Sequence, residues 1–139
     1  MDLSTVATSV RAGINAQISL TVGERDTAVA LGSGDVAVLG TPRLVALCEE
    51  AACQVLEDRL DPSQTTVASR VQFDHLAPVA VGRTVTAEAT LQRVEGRRYI
   101  FTVSVSMQAD KCTTLVGAGR VTRVLVDREA FLQKAGRSR

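Results

Sequence analysis

Between residues 14 and 22 the chain alternates, with Ile14, Ala16, Ile18, Leu20 and Val22 on one side, the period of a strand buried on one face. The period then changes. After the Gly-rich stretch LGSGD (31–35), a flexible place by composition, the run TPRLVALCEEAACQVLEDRL repeats its apolar residues at the spacing of a helix with one oily side. Thr41 followed by Pro42 marks its start, because Thr can cap and Pro at the first helical position gives up no hydrogen bond. The helix is expected to reach about Leu60, where DPSQ breaks it. Strand periods resume in TTVASRVQF (65–73), RTVTAEATLQRV (83–94), RRYIFTVSVSMQ (97–108) and TTLVGAGRVTRVLV (113–126). Glu95 and Gly96 supply a tight turn, so the third and fourth strands should form a hairpin. Gly117 and Gly119 mark a place in the last strand where another backbone or side chain comes close, and DREAFLQKA predicts a short terminal helix ahead of the basic tail.

The order is therefore strand, long helix, then four strands. One helix can cover a twisted five-stranded sheet only by lying across its middle. This predicts an α+β hotdog fold, an antiparallel five-stranded sheet wrapped around one long central helix. The free edges of so small a sheet invite pairing with a second copy across a two-fold axis, so a homodimer is expected, with assembly into a dimer of dimers compatible with it.

Composition narrows the picture. A chain of 139 residues with 45% apolar content is one domain, residues 1–139, with enough oily material for a real core. The 16 basic and 15 acidic residues are scattered, leaving no electrostatic footprint for nucleic acid. The opening MDLSTVATSVRAGINAQ lacks the apolar stretch of a signal peptide and no run of about 18 apolar residues follows, so the expectation is a cytoplasmic protein without a membrane partner. Cys48, Cys53 and Cys112 have no C-x-x-C spacing and are expected as reduced thiols. With a single His, they give no metal-ligand pattern either.

Candidate chemistry comes from three positions. On a helical projection Leu44, Val45, Cys48, Ala51, Ala52, Val55 and Leu56 form one stripe, with Glu50 and Glu57 opposite its centre and Glu49 at its edge. A carboxylate at that edge loses much of its water and needs a partner, ordinarily an Arg. His75 continues the alternation of Val67, Val71 and Phe73 and should point toward the helix, with Asp74 pointing away. Each has an ordinary explanation, Thr41 as a helix cap and His75 as a structural hydrogen-bonder. Together they supply a hydroxyl, a carboxylate and an imidazole, with Thr41 and Glu49 about 12 Å apart along the helix axis. Such a set can serve acyl transfer, with free N–H groups at the helix start holding a developing oxyanion.

TPRLVALCEEAA, the strand ending in FDHLAPVAVG and the hairpin VEGRRYIFTVSV resemble the fluoroacetyl-CoA thioesterase-like family of hotdog proteins, over roughly residues 14–134. The resemblance places that family's functional Thr, Glu and His on Thr41, Glu49 and His75. It implies hydrolysis of a small acyl-CoA at a pocket on the dimer interface, with Glu49 as nucleophile or general base, His75 as proton carrier and Thr41 as activated hydroxyl or hydrogen-bond partner. Ala68, Pro42 and Arg43 would lie on the substrate, and no cofactor beyond the CoA of the substrate is implied. The sequence departs from the family's namesake in two places: LGSGDVAVLG has no aromatic residue where the namesake's pocket lid is rich in them, and Ala68 stands where the namesake has a glycine. Arg93, Arg97, Arg98, Arg120 and Arg123 are candidates to meet CoA phosphates, without a pattern that singles out a site.

Two other readings compete with the enzyme. A non-catalytic acyl-CoA or hydrophobic-ligand module would use Thr41 and His75 only to shape a pocket. A hydratase would need an acid/base Asp and His converging, whereas Asp74 and His75 are strand neighbours and face opposite ways.

Overall fold

A computed structural model describes residues 10–137. The first nine residues of the opening segment and the last two of the basic tail lie outside the described residues. Five strands, β1 (Asn15–Thr21), β2 (Gln64–His75), β3 (Thr84–Glu95), β4 (Arg98–Ala109) and β5 (Cys112–Asp127), form one antiparallel sheet in the order β1-β3-β4-β5-β2. The hairpin expected between the third and fourth strands is present, with Glu95 paired to Arg98 across the turn.

The long helix α2 (Thr41–Val55) lies against the concave face of the sheet, chiefly over β3 and β1. This is the hotdog fold. Leu44, Leu47, Cys48, Ala51, Ala52 and Val55 are its buried residues and meet Val85, Ala87, Ala89, Leu91, Phe101, Val103 and Val105 of the sheet in one core. Burial of each large aliphatic side chain there contributes roughly 1.5–3 kcal/mol. Leu47 rather than Val45 completes the stripe, which turns the helix so that Glu49 and Glu50 fall on its two opposite flanks. The helix ends a turn before the expected Leu60. Leu56 is its C-cap, and Asp58 adopts a left-handed conformation (φ 62°) that short polar side chains tolerate and that cannot continue a helix.

Strand β2 forms one edge of the sheet and carries a bulge between Ala68 and Arg70. The extra residue, Ser69, shifts the alternation by one. Thr66 and Ala68 before it share a face with Val71, Phe73 and His75 after it, so Val67 belongs to the outer face and not with His75, as strict alternation had suggested. Glycine in β5 permits close packing here: a Cβ on Gly119 would collide with the backbone of Gln72 and Phe73, and one on Gly117 with the Phe73 ring. The two glycines expected to mark a close approach thus accommodate β2.

Part of the stretch between β1 and α2 takes regular structure. A 3₁₀ turn (Glu24–Asp26) leads into the short helix α1 (Ala28–Leu31), which ends at Gly32 in the left-handed region (φ 71°). A bridge from Thr27 to Leu39 closes the segment on itself, and one from Val38 to Ala80 ties it to the connection before β3. The terminal helix α3 (Arg128–Arg137) follows β5 and buries none of its residues. Among the described residues no helix is long and apolar enough to cross a membrane.

Candidate active site

Thr41 is not the cap of α2. Gly40 occupies that position, extended at φ −78° and ψ 141°, so the Thr41 hydroxyl is released from the helix end. It lies 2.7 Å from His75 Nδ1, brought there by the last residue of β2. The other ring nitrogen, Nε2, is shielded from solvent and has no hydrogen-bond partner among the described residues. Thr41 and His75 line a hollow of about 390 Å³ between the start of α2 and the segment that follows β2.

Glu49 stands two turns further along α2, on the flank facing β2 and β5. Its carboxylate accepts a 3.4 Å bond from Arg123 Nη1, and the same guanidinium donates to the Thr66 hydroxyl (2.9 Å, from Nε) and to the Thr66 carbonyl (2.7 Å, from Nη2). Arg123 is 7% exposed, and Glu49 keeps about a third of its side chain open to a separate hollow of about 910 Å³. Beside it, burial and then the Glu49 charge push the Cys48 thiol up to about 12. One chain therefore pairs Thr41 with His75, and Glu49 with Arg123, but does not bring the two pairs together.

The remaining residues of interest divide similarly. Ala68 lies on the same face of β2 as Thr66 and His75, opposite Arg123 and open to solvent. Pro42 occupies the first turn of α2, where it costs no backbone bond. Arg43 is engaged within the chain: its Nε bonds the buried Asp26 at 3.1 Å and its Nη1 reaches Glu50 at 3.3 Å. Of the arginines considered for phosphate, Arg123 is turned inward to Glu49 and Thr66, and Arg93 pairs with Glu95 at 2.8 Å. Arg97, Arg98 and Arg120 remain on the surface.

A family model described as fluoroacetyl-CoA-specific thioesterase matches residues 22–129. The chain belongs to that family. It is accordingly an enzyme of the thioesterase class, which sets aside the non-catalytic reading. A fluoroacetyl-CoA thioesterase of Streptantibioticus cattleyicolor is 31% identical over 97 residues, covering 70% of this chain and 67% of the relative. The solved structure of the fluoroacetyl-CoA thioesterase FlK superposes with a TM-score of 0.86 at 26% identity, covering 94% of this chain and 98% of that one. A point mutant of FlK, solved in complex with fluoroacetate and CoA, superposes with a TM-score of 0.80 at 26% identity, over 88% of this chain and 99% of that one.

Sequence reasoning missed Arg123 as the partner of Glu49, and Asp26 and Thr66 altogether. The signal for Arg123 was available: it continues the inward alternation Gly117, Gly119, Val121 of β5. An arginine on the inner face of a sheet needs an acid, and Glu49 is the acid on that flank of the helix. Asp26 gave no such signal, because its burial depends on how the 3₁₀ turn folds beneath Arg43.

Proposed function

We propose that the protein hydrolyses an acyl-CoA thioester to the free acid and CoA at a site shared by two copies of the chain, with Thr41 and His75 supplied by one copy and Glu49 by the other. The observation that carries this reading is the 2.7 Å contact between Thr41 Oγ1 and His75 Nδ1, a hydroxyl and an imidazole in proton-transfer range at the start of a helix. The N–H groups of that helix end suit an oxyanion.

Two further features support a shared site. Thr41 and Glu49 are about 12 Å apart along α2, too far for both to meet one carbonyl carbon. Strand β2 is a twelve-residue edge whose inward row has His75 near one end and Thr66, held with Glu49 by Arg123, near the other. Antiparallel pairing of β2 with its own copy about a two-fold axis places the His75 end of each chain beside the Thr66 end of its partner. That arrangement carries Glu49 of the second copy to the Thr41–His75 pair. It also gives the orphaned Nε2 of His75 something to meet, since a buried ring nitrogen left unpaired costs about 1–3 kcal/mol.

In this reading Glu49 carries negative charge to the carbonyl, as nucleophile or as base toward a water. As base, Glu49 takes a proton from the attacking water, CoA departs with a proton from His75, and the proton on Glu49 returns to the imidazole. As nucleophile, Glu49 forms a mixed anhydride as CoA departs with that proton. A water that gives its proton to His75 then cleaves the anhydride to the free acid and Glu49. In both routes Thr41 holds the imidazole in place. Three free thiols suit a reducing compartment, the cytoplasm. The decisive test mixes subunits. Glu49→Gln and His75→Ala chains, each inactive, are unfolded together and refolded, and thiol release from acyl-CoA is measured. Random pairing makes half the dimers mixed, each with one intact site, so about a quarter of wild-type activity should return. No recovery, with dimers demonstrated, would show that Glu49 acts within its own chain.

A further inference from the structure

We infer that the acyl group taken by this enzyme is an uncharged aliphatic chain larger than acetyl, of about four carbons, held against a wall built largely from the segment between β1 and α2. This rests on the thioesterase reading and deepens it. The hollow at Thr41 and His75 is walled by Ala28, Val38, Leu39, Leu76, Ala77 and Pro78. Beyond the reacting pair, Ser33 is its one other polar side chain, and no charged side chain of the described residues lines it. An acyl carboxylate entering there would find no cation on these walls and would face the Glu49 that the second copy brings, and an acyl hydroxyl would meet mostly methyl groups.

Size follows from volume. The hollow of about 390 Å³ lies at the lower end of ligand pockets, and at ~30 Å³ per water-sized group it holds roughly a dozen non-hydrogen atoms. An acetyl or fluoroacetyl thioester would leave much of the apolar wall facing water. A four-carbon chain covers it while leaving room for the thioester itself.

The wall is also pre-formed. Ala28 N–H bonds Val38 O, Leu39 N–H bonds Val79 O and Gly40 N–H bonds Asp26 O, each at 2.9 Å. A Cβ on Gly40 would come within 2.9 Å of Leu31 Cδ1 and 3.1 Å of the Ala28 backbone, so α1 rests directly on the cap of the catalytic helix. The side chains at 28, 38 and 39 are thus held in place before substrate arrives, so the apolar wall they present to an acyl chain is fixed. One methylene in such a pocket is worth roughly 10-fold or more in kcat/KM.

The test uses the whole chain and a set of CoA thioesters: acetyl, fluoroacetyl, propionyl, butyryl, isobutyryl and succinyl. Thiol release is expected to be at least about tenfold more efficient for butyryl- or isobutyryl-CoA than for acetyl- or fluoroacetyl-CoA. For succinyl-CoA it should fall on the order of 100-fold below butyryl-CoA. Val38→Phe, which fills the hollow, should lower the butyryl-to-acetyl ratio by about tenfold, with folding checked by circular dichroism. Acetyl or fluoroacetyl preferred in the wild type, or succinyl within tenfold of butyryl, would overturn the inference. Calorimetry on the same esters separates it from the catalytic reading. Butyryl-CoA bound more tightly than acetyl-CoA without thiol release would sustain the pocket assignment and sink the hydrolysis. The reverse order of affinity would sink the pocket assignment whether or not thiol is released.

Discussion

The two ends of the flank that α2 turns toward β2 are built differently. At the start of the helix, Thr41 and His75 make one short contact in an apolar hollow, with no charged residue lining it. Two turns on, Glu49 sits in an ionic arrangement in which a buried guanidinium from β5 joins the helix to the hydroxyl and carbonyl of Thr66 in β2. The first end is easily disturbed without structural loss, because its groups are half-exposed and involve few neighbours. The second is held by three hydrogen bonds to Arg123, and removal of that residue leaves polar groups of two other elements without their partner. A partly buried carboxylate on a helix flank is met here by a counter-charge, whereas a hydroxyl and an imidazole need only be close.

The contrast predicts opposite responses to mutation. His75→Ala should reduce thiol release on the order of 10²–10⁴-fold while leaving the urea midpoint nearly unchanged. Equal losses of activity and stability would mean that this end is structural. Arg123→Met should do the reverse in emphasis, lowering unfolding free energy by about 2–4 kcal/mol as Glu49 and Thr66 lose their donors. A urea curve matching wild type would show that the charged end carries no stability.

Cys48 offers a probe between the two ends. Its thiol keeps its proton in the folded protein up to about 12, whereas the unfolded chain ionises near the ordinary value of 9.0. Stability from this group is therefore complete below that ordinary value and drains as pH rises toward about 12. Glu49→Gln should bring the thiol down, because burial would then act without the neighbouring charge; thiolate absorbance during an alkaline titration reads the change. The smallest effect belongs to the other glutamate. Glu50→Ala breaks only a partly exposed pair with Arg43 and should change stability by less than about 0.5 kcal/mol in the same urea assay. A loss as large as that of Arg123→Met would erase the distinction between the two flanks of the helix.

Much of this was legible before any coordinates. The alternation in 14–22 and the four later strand periods located every strand, and Thr41-Pro42 located the start of the helix within one residue. Local rules failed at particular places. The projection set Glu50 on the exposed side, where it lies, but omitted Leu47, whose burial depends on which strands the helix lies over. Strict alternation grouped Val67 with His75 because a bulge at Ser69 leaves no mark in a pattern of apolar and polar letters. The Gly-rich stretch 31–35 suggested only flexibility, yet Gly32 ends a short helix whose cap Thr27 bridges to Leu39, and Val38 bridges to Ala80 far along the chain.

The amino-acid order alone determined the five strands, the long helix, their succession along the chain and the three candidate side chains, because periodicity and residue chemistry are local properties. Only the tertiary structure decided which of those side chains meet. Thr41 reaches His75 and Glu49 reaches Arg123 because β2, the next strand along the chain, and β5, three strands further on, pair with each other and are laid along one flank of α2. No local pattern can specify a distance set by how a sheet twists around a helix.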